Sequence, residues 1–165
     1  PHDGLELLTR DDDAYTQGMR DFCKKFTKPP GDKLFVCGAG HKSGTVDAYG
    51  RFQMCMLLRH PDFTYDLRSG SLEDALDNVF PKLLQTRAQN TEYLQKCAKC
   101  FLKGVCEQCP AKSWSEHGTL DSPVSYLCEV THAQARYLGL LDENEFAWQV
   151  ENWQERLETF IRSDN

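Results

Sequence analysis

The order of apolar and polar positions in the first third of the chain predicts one helix followed by a small β-rich region. Residues 9–26 have acids near the start, Lys24 and Lys25 in the last turn and a proline pair soon afterwards, which is typical of a helix. Residues 32–58 then read as two short β-rich runs, with glycines in the first and the turn sequence DAYG before the second. We expect a β-hairpin or small sheet there.

The remaining two thirds of the chain predict several short helices. Ser71 followed by Asp74 is a helix-capping pattern, and the helical periodicity that follows should be interrupted or kinked at Pro81. Residues 111–121 look irregular. Ser122 and Pro123 mark a helix start, and Asp142 can cap a final amphipathic helix. The predicted helical segments are residues 71–80, 90–96, 123–141 and 142–161.

Together these elements predict an α+β fold: a small β-hairpin or sheet, then cysteine-rich loops and several short helices, with an amphipathic helix at the C-terminus. We expect three consecutive regions. They are an N-terminal segment and helix at residues 1–30, a cysteine-bearing domain at 31–140 and a C-terminal helix at 141–165.

Composition and charge exclude two classes of partner. The 19 basic and 25 acidic residues give a net charge of −6, without the Lys/Arg block that follows a phosphate backbone, so we expect no nucleic acid partner. There is no apolar run of membrane-spanning length and no signal or transit sequence, so we expect no membrane partner and a cytoplasmic location.

Half of the eight cysteines fall in the thirteen-residue stretch CAKCFLKGVCEQC, with the spacing C-x2-C-x5-C-x2-C. Disulfide scaffolds usually spread their bridges across a small secreted fold, and a bridge within one C-x2-C pair closes too small a ring to add much stability. Thiols at this spacing more often bind a metal or carry out redox chemistry. The four cysteines are Cys97, Cys100, Cys106 and Cys109.

Two soft-metal sites are compatible with this spacing. A zinc ribbon also joins two C-x2-C pairs, but usually across fifteen or more residues, so that five is short for it. An iron-sulfur cubane is wider than a single ion, and an extended loop can wrap it while a distant residue such as Cys128 supplies the last ligand. A zinc-stabilised interaction module without a redox role stays the alternative.

The other cysteines decide how many clusters the chain can hold. Two [4Fe-4S] clusters take eight thiolates, and the chain has eight cysteines. Cys23 lies between Phe22 and the end of a predicted helix, where a thiol often packs as a small apolar side chain. Glycine-bearing turns flank Cys37 and Cys55, and Cys128 follows the thiol run, so we expect those three to be ligands.

The joint pattern of the cysteines resembles the SPASM domain of radical S-adenosylmethionine peptide and protein maturases. The resemblance covers residues 37–128: Cys37, the segment DAYGRFQMC that ends at Cys55, then C-x2-C-x5-C, a further cysteine and a last one downstream. Cys106 and Cys109 enclose two residues where the family usually has three. Domains of this family hold two auxiliary [4Fe-4S] clusters.

The resemblance implies a ligand set for each cluster. Cys37, Cys55 and Cys109 would bind the first cluster, and Cys23 is the candidate for its fourth ligand. The second cluster would be held by Cys97, Cys100, Cys106 and Cys128. Such clusters would pass electrons or anchor the substrate.

The resemblance also implies partners that the chain itself does not supply. Radical S-adenosylmethionine enzymes bind their catalytic cluster through C-x3-C-x2-C, and this sequence has no such motif. We therefore expect that the chain alone is not catalytic and that S-adenosylmethionine binds in a barrel domain outside it. The expected partners are that barrel domain, a peptide or protein substrate and an electron donor protein.

Two histidines are candidates for contacts around the clusters. His132 lies one helical turn after Cys128, so that both face the same side of the predicted helix and His132 could hydrogen-bond to a cluster. His41 follows Cys37 in the GAGHKSG turn and could tune the first cluster. For His132 a place at the surface or beside a ligand is the plainer explanation, and a histidine in a turn such as that of His41 usually faces solvent.

Overall fold

The computed structural model describes residues 12–27, 29–41 and 44–163, and the predicted α+β class is confirmed. The helices are α1 (Asp12–Phe26), α2 (residues 72–83), α3 (Thr91–Gln95), α4 (Pro110–His117), α5 (Ser125–Tyr137) and α6 (Trp153–Arg162). The strands are β1 (Thr45–Val46), β2 (Arg51–Gln53) and β3 (Thr64–Asp66), and 3-10 turns cover Pro61–Phe63 and Phe101–Gly104. Within these described ranges, no helix has both the length and the apolar composition that crossing a bilayer requires.

Helix α1 confirms the first predicted helix over residues 12–26. It has Asp12 and Asp13 in its first turn and Lys24 and Lys25 in its last, each favourable with the helix dipole. The N-terminal segment of residues 1–11, which includes the first residues of the predicted helix, lies outside the described residues.

The β-rich region forms a three-stranded antiparallel sheet in the order β1-β2-β3. Gly50, at a φ of 76°, allows the tight turn between the first two strands, which Asp47 stabilises by accepting from the amides of Tyr49 and Arg51. The sequence pattern predicts the β1-β2 hairpin. It misses β3, which is only three residues long and follows a 3-10 turn.

Helix α2 continues past Pro81 to residue 83. A π-helical segment, Ala75–Val79, separates the α-helical turns Leu72–Asp74 and Phe80–Leu83, and the Phe80 amide donates to the carbonyl of Ala75. The change of helical register lies directly before the proline, where the ordinary hydrogen-bond ladder would be broken. Pro81 therefore alters the helix without ending it.

Two predictions about the C-terminal third of the chain are wrong. The first wrong prediction is the irregular structure expected at residues 111–121. Residues 110–117 instead form α4, which has Pro110 in its first turn and Gly118, at a φ of 68°, as its C-cap. These are standard helix boundary signals.

The second is the length of the final helix, which is shorter than predicted because residues 142–152 are held in turns by tertiary contacts. The Arg136 guanidinium donates to the carbonyl of Glu145, whose carboxylate binds Arg156 in turn. Buried Ala147 is fixed by its amide, which donates to the His132 ring. These contacts override the helical periodicity of the segment.

The chain divides into two compact units that alternate along the sequence, a different division from the three consecutive regions expected. Unit 1 comprises the described residues up to Gly31, Gln95–Gln108 and residues from Ser125 onward; unit 2 comprises Asp32–Leu94 and Cys109–Val124. The chain passes from unit 1 to unit 2 between Gln108 and Cys109, inside the thiol run.

Each unit has its own apolar core. In unit 1 the buried Arg20 of α1 donates to the carbonyl of Phe160 in α6 and lies over its ring, and the core cluster is Cys23, Cys100, Phe101, Leu102, Ala135, Leu140, Leu141, Ala147, Leu157 and Phe160. In unit 2 Phe52 of β2 packs on Phe80 of α2 with ring centroids 4.8 Å apart. Phe80 is completely buried.

Replacing Phe80 with alanine should lower the free energy of unfolding by about 3–5 kcal/mol, because it removes a completely buried ring and leaves a cavity against Phe52. Leu72→Ala is the control: this leucine starts the same helical segment but is 49% exposed, so its loss should cost less than about 1 kcal/mol. Urea unfolding of both variants measures the difference, and equal losses would contradict this description of the unit 2 core.

Candidate metal centres

The first candidate site lies in unit 1, on the loop that carries Cys97, Cys100 and Cys106. Cys100 caps the 3-10 turn Phe101–Gly104, and the Cys106 amide closes that turn by donating to the carbonyl of Leu102 at 2.8 Å. Phe101 and Leu102 are each only 2% exposed and belong to the core of unit 1. Two buried apolar side chains therefore hold the loop between its second and third cysteines.

Cys128 approaches the same group of thiols from helix α5. The buried side chains of Leu127, Thr131 and Ala135 recur every four residues along this helix and fix which of its faces is turned inward. Cys128, at the edge of that face, is half-buried.

The four thiols are close enough to interact electrostatically. The pKa of the Cys100 thiol is raised to about 12, chiefly by burial and to a smaller extent by negative charge at Cys106, Cys97 and Cys128. Burial likewise raises the pKa of Cys128, with a further contribution from Cys106. Cys100 thus lies within electrostatic range of Cys97, Cys106 and Cys128, the other members of the set that the resemblance assigns to one cluster.

Two basic side chains offset the charge that these thiols would carry as thiolates. Lys96 and Arg136 each lower the pKa of Cys128, although burial outweighs them. The ammonium group of Lys96 also lies 5.8 Å from the centre of the Trp148 ring. Positive charge next to thiolates favours their deprotonated, metal-binding form.

His132 contacts Cys128, as the helical spacing predicts. Its Nε2 lies 3.1 Å from the Ala147 amide, which can only donate, so that Nε2 is the acceptor and Nδ1 carries the proton. Nδ1 therefore donates to the Cys128 carbonyl at 2.8 Å, with the Cys128 Sγ 3.5 Å away. Burial lowers the pKa of His132, which keeps the ring neutral at pH 7. Both ring nitrogens are thus engaged, and the role left to His132 is to position Cys128.

The second candidate site lies in unit 2, where Cys37 and Cys55 belong to neighbouring segments. Cys55 comes two residues after β2, and Cys37 lies in an exposed loop. The Gly40 amide donates to the carbonyl of Met54 at 3.2 Å, which ties the Cys37 loop to the residue just before Cys55. Gly40 has a φ of 73°, and a Cβ there would lie 2.9 Å from the Met54 sulfur. Only glycine fits this crossing.

Cys109 belongs to the same unit and caps the N-terminus of α4, with its carbonyl accepting from the Ser113 amide. One turn into α4, the Trp114 ring packs against His60 with ring centroids 4.3 Å apart. His60 ends the loop that begins at Cys55. The helix that starts at Cys109 is therefore attached to the loop that starts at Cys55.

The two remaining candidates, Cys23 and His41, are placed differently from the other candidate ligands. Cys23 is 2% exposed in the apolar core of unit 1, whereas Cys37, Cys55 and Cys109 belong to unit 2. Burial raises the pKa of Cys23, and the structure does not group it with those three. His41 is exposed, and its amide closes a turn on the carbonyl of Gly38.

All eight cysteines lie in the described part of the chain and are present as thiols. Across the described residues, no group of three or more His, Cys, Asp or Glu side chains is arranged to hold a metal ion. A tetrahedral zinc site needs sulfur atoms that all lie about 2.3 Å from one ion. A cubane does not require its thiolates to converge on one point, since each binds a different iron.

Sequence reasoning misses the residues that anchor the candidate ligands. In the sequence, Phe101 and Leu102 are treated only as the residues that separate Cys100 from Cys106. An adjacent apolar pair in a polar loop is nevertheless a signal of burial. His60 and Trp114 fall in segments without a predicted element. Their contact depends on α4, which the sequence pattern does not predict.

Gly40→Ala should lower the free energy of unfolding by about 2–4 kcal/mol, since a Cβ would both strain the backbone at positive φ and collide with Met54. Gly118→Ala is the matched control: it has a similar φ of 68°, but a Cβ added there would meet nothing within 4 Å, so it should cost about 1 kcal/mol. Urea unfolding compares the two. If Gly40→Ala is no worse than Gly118→Ala, the close crossing at Met54 is wrong.

Comparisons with known proteins provide no evidence for or against the assignment of these cysteines to metal centres. A scan against models of protein families, a search of curated proteins and a search of solved structures each returned no match for the chain. The SPASM resemblance thus rests on the cysteine spacing in the sequence. The chemistry available to the chain must be inferred from the thiols of each unit and the side chains around them.

Proposed function

We propose that this chain is a SPASM-like module that binds two auxiliary [4Fe-4S] clusters for a radical S-adenosylmethionine enzyme acting on a peptide or protein. Cys97, Cys100, Cys106 and Cys128 hold one cluster in unit 1. Cys37, Cys55 and Cys109 hold the other in unit 2. Cys23 is left out of the ligand set, because it packs in the core of unit 1 while the cysteines that it would join belong to unit 2.

The division of the cysteines between the two units carries this proposal. The SPASM pattern assigns Cys106 and Cys109 to different clusters although only two residues separate them. The unit boundary falls between these same two cysteines, and it leaves each assigned set whole within one unit. A single zinc site spanning the C-x2-C-x5-C-x2-C run would instead draw its four thiols from both units.

Burial makes a thiolate costly at Cys100 and Cys128, and a bound metal centre would offset that cost. A thiol with a pKa of about 12 stays protonated at pH 7, and forming a thiolate there in the absence of a cation is unfavourable. Metal binding offsets this desolvation, so that metal affinity and folding become coupled. The positive charges of Lys96 and Arg136 reduce the remaining cost at Cys128.

The clusters supply one-electron transfer when bound, and the polypeptide supplies their position and surroundings. We propose that the module passes electrons, anchors the substrate, or does both. The radical chemistry belongs to a barrel domain with the C-x3-C-x2-C motif, which binds S-adenosylmethionine. An electron donor protein completes the set of proposed partners.

Cys100→Ala should remove about four irons per chain after anaerobic reconstitution, because it deletes a ligand of the unit 1 cluster. Cys23→Ala is the matched control, since it removes the same thiol group from the same apolar core. It should keep the full iron content and cost about 1–2 kcal/mol of stability. Analysis of iron and acid-labile sulfide measures the difference between the two variants. Equal iron loss in both would contradict the ligand assignment.

Cys128→Ala and Cys37→Ala should each lose one cluster and spare the other, because their thiols belong to different units. Each variant should retain about four irons, and the double variant should retain almost none. Electron paramagnetic resonance of the dithionite-reduced samples should show different remaining signals in the two single variants. Identical spectra, or complete loss of iron in either single variant, would count against two separate sites.

A further inference from the structure

One face of the three-stranded sheet in unit 2 is polar and lines an open groove. Phe52 points to the other face, where it packs on Phe80, so Arg51 and Gln53 point to the groove side. The register places Gln53 between Thr45 and Thr64. All of these groove-side residues line a space of about 650 Å³, a volume typical of ligand sites.

Gln53 occupies the centre of this face, and its side chain lines the groove. It is only 7% exposed, yet its side-chain amide forms no hydrogen bond with any residue in the described ranges. These polar atoms are not sealed from solvent, since the Tyr15 hydroxyl is the only buried side-chain N or O atom without a hydrogen-bond partner among the described residues. The Gln53 amide therefore presents two N–H donors and one carbonyl acceptor to the open groove. These donors and the acceptor can hydrogen-bond to a molecule that binds in the groove.

The charges around the groove leave one cation without a partner among the described residues. Arg51 pairs with Asp47 at 2.7 Å, and Asp66 pairs with Arg68 at 2.7 Å, which holds the Asp66 pKa at about 2. Arg59 also lines the groove, is exposed, and forms no ion pair or hydrogen bond with a described residue. A bound molecule with a carboxylate could form an ion pair with the Arg59 guanidinium.

The wall of the groove next to Arg59 is the loop that carries Cys55. Met56 of this loop lines the groove and is 66% exposed, and Pro61, directly after the loop, lines it as well. On the opposite side the turn between β1 and β2 contributes Tyr49, which is 70% exposed. Apolar walls around a polar floor suit an extended chain whose side chains alternate in direction.

We propose that this groove binds a segment of the peptide substrate that carries an Asp or Glu side chain. The Gln53 amide both donates to and accepts from a peptide group, and the Arg59 guanidinium pairs with the carboxylate. The bound segment lies along the loop that begins at Cys55, next to the unit 2 cluster. This inference rests on the proposed function, since it identifies what that function's peptide substrate carries and where it binds.

The test uses three pools of capped octapeptides, each with a fixed central Glu, Gln or Lys and the other positions randomised. The anaerobically reconstituted chain is immobilised, and retained peptides are quantified by mass spectrometry. We expect about tenfold more retention from the Glu pool than from the Gln pool, with the Lys pool lowest. Iron is measured in every sample, so that loss of the clusters and loss of peptide binding are seen separately.

Two variants test the two contacts. Arg59→Gln should abolish the preference for Glu, whereas Arg162→Gln, which removes an exposed arginine of unit 1, should leave it unchanged. Gln53→Met should lower retention of all three pools several-fold while keeping the iron content. If Gln53→Met fails to fold, the exposed Arg59 still decides the outcome.

The proposal is overturned if the wild-type chain retains no pool, if it retains the three pools equally, or if Arg59→Gln keeps the Glu preference. If another protein segment covers this face instead of substrate, the wild-type chain would retain no pool. A preference for Glu in a sample that holds no iron would support the groove and contradict the cluster proposal.

Discussion

The burial of Phe101 and Leu102 determines the geometry of the thiol run. Both side chains lie in the core of unit 1, and they stand between Cys100 and Cys106. The Phe101 ring stacks on Trp153 of α6, with ring planes 11° apart, so that the loop is attached to the C-terminal helix as well. A loop of four cysteines with only polar residues between them would have no comparable means of fixing its thiols relative to Cys128.

The same anchoring imposes an electrostatic cost. It places Cys100 at 8% exposure, where its thiolate is strongly disfavoured, and three further thiols contribute repulsion. Without a cation the Cys100 thiol stays neutral at pH 7, because its pKa is about 12. In the function that we propose, bound metal offsets this cost, which couples metal binding to folding as in other small cysteine-rich domains. His132 adds rigidity without charge, since it stays neutral while fixing the backbone of Cys128.

Sequence reasoning succeeds where the signals are local. The α1 helix, the β1-β2 hairpin and the contact between His132 and Cys128 all follow from capping residues, turn residues or helical spacing. It fails where tertiary contacts decide: residues 142–152 have helical periodicity but are held in turns by Arg136 and His132. The Cys37 loop is tied to the residue before Cys55 by a backbone hydrogen bond from Gly40, which no periodicity reveals. Cys23 shows the same limit, because a buried thiol and a ligand look alike in sequence.

The most direct test of the account is the metal and sulfide content of the wild-type chain purified without exposure to air. Two [4Fe-4S] clusters predict about eight irons and about eight acid-labile sulfides per chain, with zinc well below one equivalent. A chain that holds one or two equivalents of zinc and no labile sulfide would contradict the account and establish the zinc-stabilised interaction module instead.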